Sequence, residues 1–336
     1  DFRVLSASPT LDAGPASARD VVLGLGALST RGSRGDQLLD GEGADQTAAN
    51  MGFHYTLPMD AFSSLAPLGA RAAFAVPGDV TLRTRAWQRD TGAWGTATRA
   101  QALNSDVRWL VQRVSPGPKP EEIVAALADT GAGTMLYVRA WDGRRFGDDA
   151  PAVVSTKIAL ANADERGFDV DYEALSTDAL LVHADGNNVL SQSLSDGVWS
   201  GSAPVFAPAL NTGTVLWTEL TPRAGTDEVA LVALDDQQRL TAAIWDGTQW
   251  TRPLLLATQV NALHDFKAFD AAWESQSGDM LVAWGYSQFA EETRFANWVR
   301  STGNWVTGQF VSTDALGMSL ALASDPVSNK IVGVFG

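Results

Sequence analysis

A chain of 336 residues, 45% hydrophobic and 19% charged, has ordinary globular composition, and it holds no apolar run long enough to cross a bilayer as a helix. Its net charge of -15, with four lysines among 24 basic residues, opposes a broad electrostatic grip on nucleic acid or insertion at an anionic membrane. The absence of cysteine excludes disulfides, thiolate zinc sites and a cysteine nucleophile, and His54, His183 and His264 lack zinc-motif spacing and read as solvated or hydrogen-bonded.

Residues 1–68 form an N-terminal β-rich accessory segment, rich in Gly, Ala, Ser and Asp, with the short strand-like pieces FRVLSAS, DVVLGLGAL and GFHYTLP. Between them the stretch RGSRGDQLLDGEGADQ reads as an exposed loop. Its Asp36, Asp40, Glu42 and Asp45 are closely spaced oxygen donors, which makes them the candidate calcium ligands of the chain. They lack the EF-hand spacing, and a solvated acidic loop is the stronger reading; no other cofactor is expected.

From residue 69 onward the chain repeats itself. Strand-turn-strand units close on an aromatic residue at Trp94, Phe146, Trp199, Trp250 and Trp305, so the closers fall 52, 53, 51 and 55 residues apart. In TMLYVRAWDGRRF, Leu136, Val138 and Ala140 alternate with Tyr137, Arg139 and Trp141, and Asp-Gly supplies a tight hairpin turn. Two more apolar runs precede each hairpin, giving four short strands per unit and no helical periodicity. This predicts an all-β fold, a β-propeller of five to six four-stranded blades. The blades fall at about 69–105, 106–157, 158–207, 208–259 and 260–312, with a terminal half-blade at 313–336.

The blades alternate between two types. Pro116 and Glu122 of the second answer Pro222 and Glu228 of the fourth, whereas Phe168, Asp169 and Glu173 of the third answer Phe269, Asp270 and Glu274 of the fifth. The stretch SLALASDPVSNKIVGVFG repeats only the first two strands of a blade. Three expectations follow: the hairpin at Val80–Trp94 completes it, a neighbouring subunit adds strands to it, or the gene continues beyond it.

The RAWDGRRF and IWDGTQW hairpins, the Pro and Glu blade starts and FDVDYEALSTDALLV resemble a family of bacterial extracellular repeat proteins, over residues 70 to 336. The resemblance implies a secreted or surface-exposed location and a propeller-like fold. It implies no catalytic activity and leaves the N-terminal segment uncovered.

Two kinds of side chain invite a functional reading. The hairpin residues Trp141, Trp245 and Trp298, with Arg139 and Arg300 beside them, are candidates for glycan binding, because sugar faces stack on aromatic rings. The closing residues Trp94, Trp199, Trp250 and Trp305 recur at one blade position, where burying about 200 Å2 of ring favours packing instead. Asp169 and Glu173, with Asp270 and Glu274, are repeated carboxylate pairs, and repetition favours turn or inter-blade hydrogen bonding over calcium or acid-base chemistry.

The leading expectation is a non-enzymatic extracellular or cell-surface structural protein, such as the repeating subunit of a surface filament or appendage, partnered by copies of itself or by other surface proteins. The alternatives are a carbohydrate-binding adhesin or lectin whose partners are glycans, and a polysaccharide-active hydrolase.

Overall fold

The computed structural model describes residues 60–62, 71–74, 81–88, 91, 93–102, 106–116, 122–129, 134–140, 153–156, 158, 165–207, 210, 213–261, 267–288, 292–312 and 319–335. All regular structure among these residues is β-strand, in consecutive antiparallel meanders. The first sheet contains β1 (Asp60–Phe62), β2 (Arg71–Phe74), β3 (Thr81–Gln88), β4 (Ala93–Trp94) and β5 (Thr98–Ala102). The second contains β6 (Asp106–Val114), β7 (Glu122–Asp129), β8 (Thr134–Ala140) and β9 (Val153–Thr156). The third contains β10 (Phe168–Tyr172), β11 (Ala179–Asp185), β12 (Asn188–Ser195), β13 (Val198–Trp199) and β14 (Ala203–Pro204).

The fourth sheet is β15 (Val215–Pro222), β16 (Val229–Asp235), β17 (Leu240–Trp245) and β18 (Trp250–Ala257). The fifth is β19 (Phe269–Trp273), β20 (Met280–Gly285), β21 (Glu292–Val299) and β22 (Asn304–Ser312). A two-stranded sheet, β23 (Leu320–Ser324) and β24 (Ile331–Phe335), follows. The first strands of successive sheets lie side by side, β1 to β6, β6 to β10, β10 to β15, β15 to β19 and β19 to β23. This is the β-propeller that the repeat predicts. No described helix is long and apolar enough to cross a membrane.

The first sheet corrects the expectation for the Val80–Trp94 hairpin. β3 pairs with β2 on one side and with β4 and β5 on the other, so both of its edges are used within its own sheet and neither is left to complete β23 and β24. Its innermost strand, Asp60–Phe62, lies inside the stretch assigned from sequence to the accessory segment, because three residues are too short to show an alternation.

The fourth sheet shows how an apolar run is used. Every residue of β16 is buried. Val229, Leu231 and Ala233 join a core shared with the second and third sheets, while Ala230, Val232 and Leu234 join a second core shared with the fifth. Successive side chains point to opposite faces of a strand, so a continuous apolar run fits a sheet packed on both sides. The closing residues Trp199, Trp250 and Trp305 sit half-buried against these cores, with Trp245 on Trp250 and Trp298 on Trp305 at centroid separations of 5.5 Å. Trp250 and Trp305 also reach the preceding blade, Nε1 donating to Ser191 Oγ at 2.9 Å and to the Arg252 carbonyl at 3.3 Å. These closers thus take the packing role.

Candidate functional site at a blade junction

Along the inner strands, neighbouring sheets are tied by buried charge. Asp169 of β10 accepts from the Leu220 N–H of β15 at 3.0 Å and from Arg113 of β6 at 3.3 Å, so one carboxylate joins three sheets. Asp270 repeats half of this, accepting from Leu322 N–H at 2.5 Å and from Lys267 Nζ at 2.7 Å. Lys267 also donates to Glu219 of β15 at 2.7 Å. Burial pushes the Glu219 carboxyl up to about 7 despite Lys267, and it raises Asp171, which pairs with Arg113 at 2.9 Å.

At the end of each blade where the first strand turns into the second, the described turns of the third to sixth sheets share one frame. Their first residues are Glu173, Arg223, Glu274 and Asp325, and each donates its N–H to the sixth residue's carbonyl, at 2.7 to 2.9 Å. Between the third and fourth sheets these turns interlock. Asp227 Oδ1 accepts from the N–H groups of Leu175 and Ser176 at 2.9 and 2.8 Å. Asn329 Oδ1 does the same for Gln276 and Ser277 at 2.9 and 2.8 Å, between the fifth sheet and the last. Glu173 completes the first of these junctions, accepting from Trp245 Nε1 at 2.9 Å and from Ser176 Oγ at 3.0 Å. Burial moves its carboxyl up to about 7. Asp169 and Glu173 therefore do separate jobs, both of them inter-blade.

Between the fourth and fifth sheets the same frame carries different residues. Arg223 stands where Glu173 and Glu274 stand in their turns. Its Nη1 donates to Glu228 Oε2, which also accepts from Arg300 Nε of the fifth sheet at 3.2 Å. Arg300 lies two residues past Trp298, as Arg89 lies two past Trp87 in the first sheet's hairpin of equal length, and its N–H is held by Asp279 Oδ1 at 2.9 Å. The Arg223 guanidinium fits because residue 278 is glycine, since a Cβ there would lie 2.3 Å from Arg223 Nη2. The Trp298 indole N–H, buried beneath this turn, has no hydrogen-bond partner among the described residues.

A third arginine borders the turn. Arg252 occupies a left-handed position, φ 54°, in the β18 bulge, and such positions cost a branched chain about 1 kcal/mol or more. Its carbonyl is fixed by Trp305. A Cβ on Gly303 would sit 3.6 Å from Arg252 Nη2 and 3.9 Å from Trp298 Cη2, so the guanidinium lies against the turn that carries Arg300. No hydrogen bond or ion pair engages the Arg252 guanidinium among the described residues.

Of the glycan candidates read from sequence, the structure brings Trp298 and Arg300 to this junction. Trp245 is engaged by Glu173, and Arg139 is buried, donating to the Val138 carbonyl at 3.0 Å beside the Tyr137 ring. Trp141 and the calcium candidates Asp36, Asp40, Glu42 and Asp45 lie outside the described residues. Among the described residues no group of three or more His, Asp or Glu is placed to hold a metal ion. Sequence reasoning missed Arg223, Arg252 and the role of Glu228. The signal was present, because counting from the end of the first strand sets Arg223 against Glu173.

No family model and no curated protein sequence matches the chain, so the likeness to extracellular repeat proteins rests on its motifs alone. Solved structures of similar architecture include a fucose-specific lectin from Aleuria aurantia, 17% identical over 73% of this chain and 74% of its own, TM-score 0.42. The BP39L lectin from Burkholderia pseudomallei is 15% identical over 83% of this chain and 92% of its own, TM-score 0.38. The periplasmic gluconolactonase of Pseudomonas aeruginosa is 15% identical over 87% of this chain and 93% of its own, TM-score 0.47. Likeness at this level carries nothing to the side chains of the junction.

Proposed function

We propose that the chain is a saccharide-binding propeller, non-catalytic and extracellular, whose site is the junction between the fourth and fifth sheets. One observation supports this above all: Glu228 is held between Arg223 and Arg300 on opposite sides of the junction. A carboxylate accepts sugar hydroxyl protons and a guanidinium donates to sugar oxygens. Arg223 departs from the repeat, standing where the turns of the third and fifth sheets carry glutamate. A structural spacer or filament subunit needs no such departure, which is why the saccharide reading is preferred to the structural one.

The test is a glycan microarray with the purified chain, followed by calorimetry on the best ligand. Glu228→Gln and Arg300→Ala should each weaken binding at least about tenfold, as expected for one lost charged hydrogen bond of ~1.5–3 kcal/mol. A chain that binds no glycan on the array, with calcium or without, overturns the proposal.

A further inference from the structure

Resting on the saccharide reading, we infer that this junction selects sugars bearing an anionic group, a ring carboxylate or a sulfate. Donors dominate the site. Glu228 is already engaged by two guanidiniums, while the Arg300 side chain is 49% exposed and uses only its Nε on Glu228. The two remaining nitrogens of Arg300 make no hydrogen bond among the described residues, and the whole Arg252 guanidinium is likewise unengaged among them. The other carboxylates of the two turns are already turned to the backbone or to their own turn, Asp227 to Leu175 and Ser176, Asp279 to the Arg300 N–H and Glu274 to Ser277 Oγ, so the groups left open at the site are guanidinium donors.

These donors are held in place by the blades. Arg223 stands where the turns of the third and fifth sheets carry glutamate, Arg252 holds a left-handed position in the β18 bulge, φ 54°, and Arg300 answers Arg89 of the first sheet's hairpin, which is of equal length. A neutral sugar would leave unengaged guanidinium N–H groups facing it, whereas a carboxylate or sulfate matches the planar guanidinium fork and strengthens each hydrogen bond by charge. The surrounding acidic surface then excludes anionic polymers that lack the matching geometry.

The experiment titrates the full chain with trigalacturonate, with galactose 6-sulfate, and with the neutral trigalactoside and galactose as their matched controls. At least one acidic probe should bind ten times or more tighter than its neutral control, with affinity falling as salt rises. Arg252→Gln should remove at least tenfold of the acidic affinity, and Arg252→Lys should restore part of it, with thermal melts confirming folded protein. Equal or tighter binding of the neutral controls, or an Arg252→Gln chain that binds acidic probes unchanged, overturns the inference and leaves the saccharide reading standing. Binding to none of the four probes, together with an empty glycan array, overturns both.

Discussion

Two junctions flank the fourth sheet, and they use equivalent positions to opposite ends. Toward the third sheet, Glu173 meets Trp245 and Asp227 caps two backbone N–H groups, so the polar atoms there are matched and the turns are locked. Toward the fifth, the turn begins with Arg223, the equivalent tryptophan keeps an unmatched N–H, and charge is gathered near the surface. Repeats make this contrast readable. When one supersecondary unit is built several times, a junction that keeps the common residues is holding the structure, and a junction that discards them is free to bind.

The contrast is broken most directly by measuring stability at each side. Asp169→Ala takes the carboxylate from Arg166, leaves Arg113 with Asp171 alone and leaves the buried Leu220 N–H without its acceptor, which should cost about 3–5 kcal/mol. Glu228→Ala takes the shared acceptor from a largely buried Arg223 and a half-exposed Arg300 and should cost about 1–3 kcal/mol, less than the loss at Asp169. Urea unfolding of the two variants checks this, and equal losses would erase the distinction between a holding and a binding junction.

A smaller effect sharpens the holding side. The folded Glu173 carboxyl is raised to about 7 by burial, above its unfolded value of 4.5. The folded state therefore holds its proton more tightly. Its contribution to stability is fully present below about pH 4.5 and declines as pH rises toward 7. Glu173→Gln keeps an acceptor for Trp245 without the charge, so its melting temperature should vary less between pH 5 and pH 8 than that of the unaltered chain. An identical pH profile would show that the burial at this junction does not act through Glu173.

Much of the fold was legible because its signals are local. Period, Asp-Gly turns and strand alternation mark the blades without reference to distant residues, and Asp196 and Gly197 do adopt the paired positive φ values, 50° and 76°, of a tight hairpin turn. Trp298 and Arg300 were legible as candidates for the same reason. The rest of the site depends on which blade faces which. Glu228 looked like a marker of the even blades, since Glu122 answers it, and nothing along the chain shows that Arg300, 72 residues away, would share its carboxylate. The pairing of Arg113 with Asp171 was hidden in the same way, across 58 residues.

The smallest expected effect is the most specific, because it exchanges one position between two turns of the same frame. The fifth residue of the turn is Thr177 in the third sheet, φ 65°, and Gly278 in the fifth, φ 73°. Both need the left-handed conformation, and in the fifth sheet the Arg223 guanidinium passes over the position. Gly278→Thr should cost about 1 kcal/mol in backbone strain, and it should also push the Arg223 guanidinium away from Glu228, lowering glycan affinity well beyond the stability loss. Thr177→Gly relieves strain of similar size but loosens the unfolded chain, so its net stability change should stay within about 0.5 kcal/mol. Thr177 belongs to the holding junction, so binding should not change at all. If both exchanges leave binding intact, then the glycine at 278 serves only the turn, and the cradle for Arg223 is not part of the site.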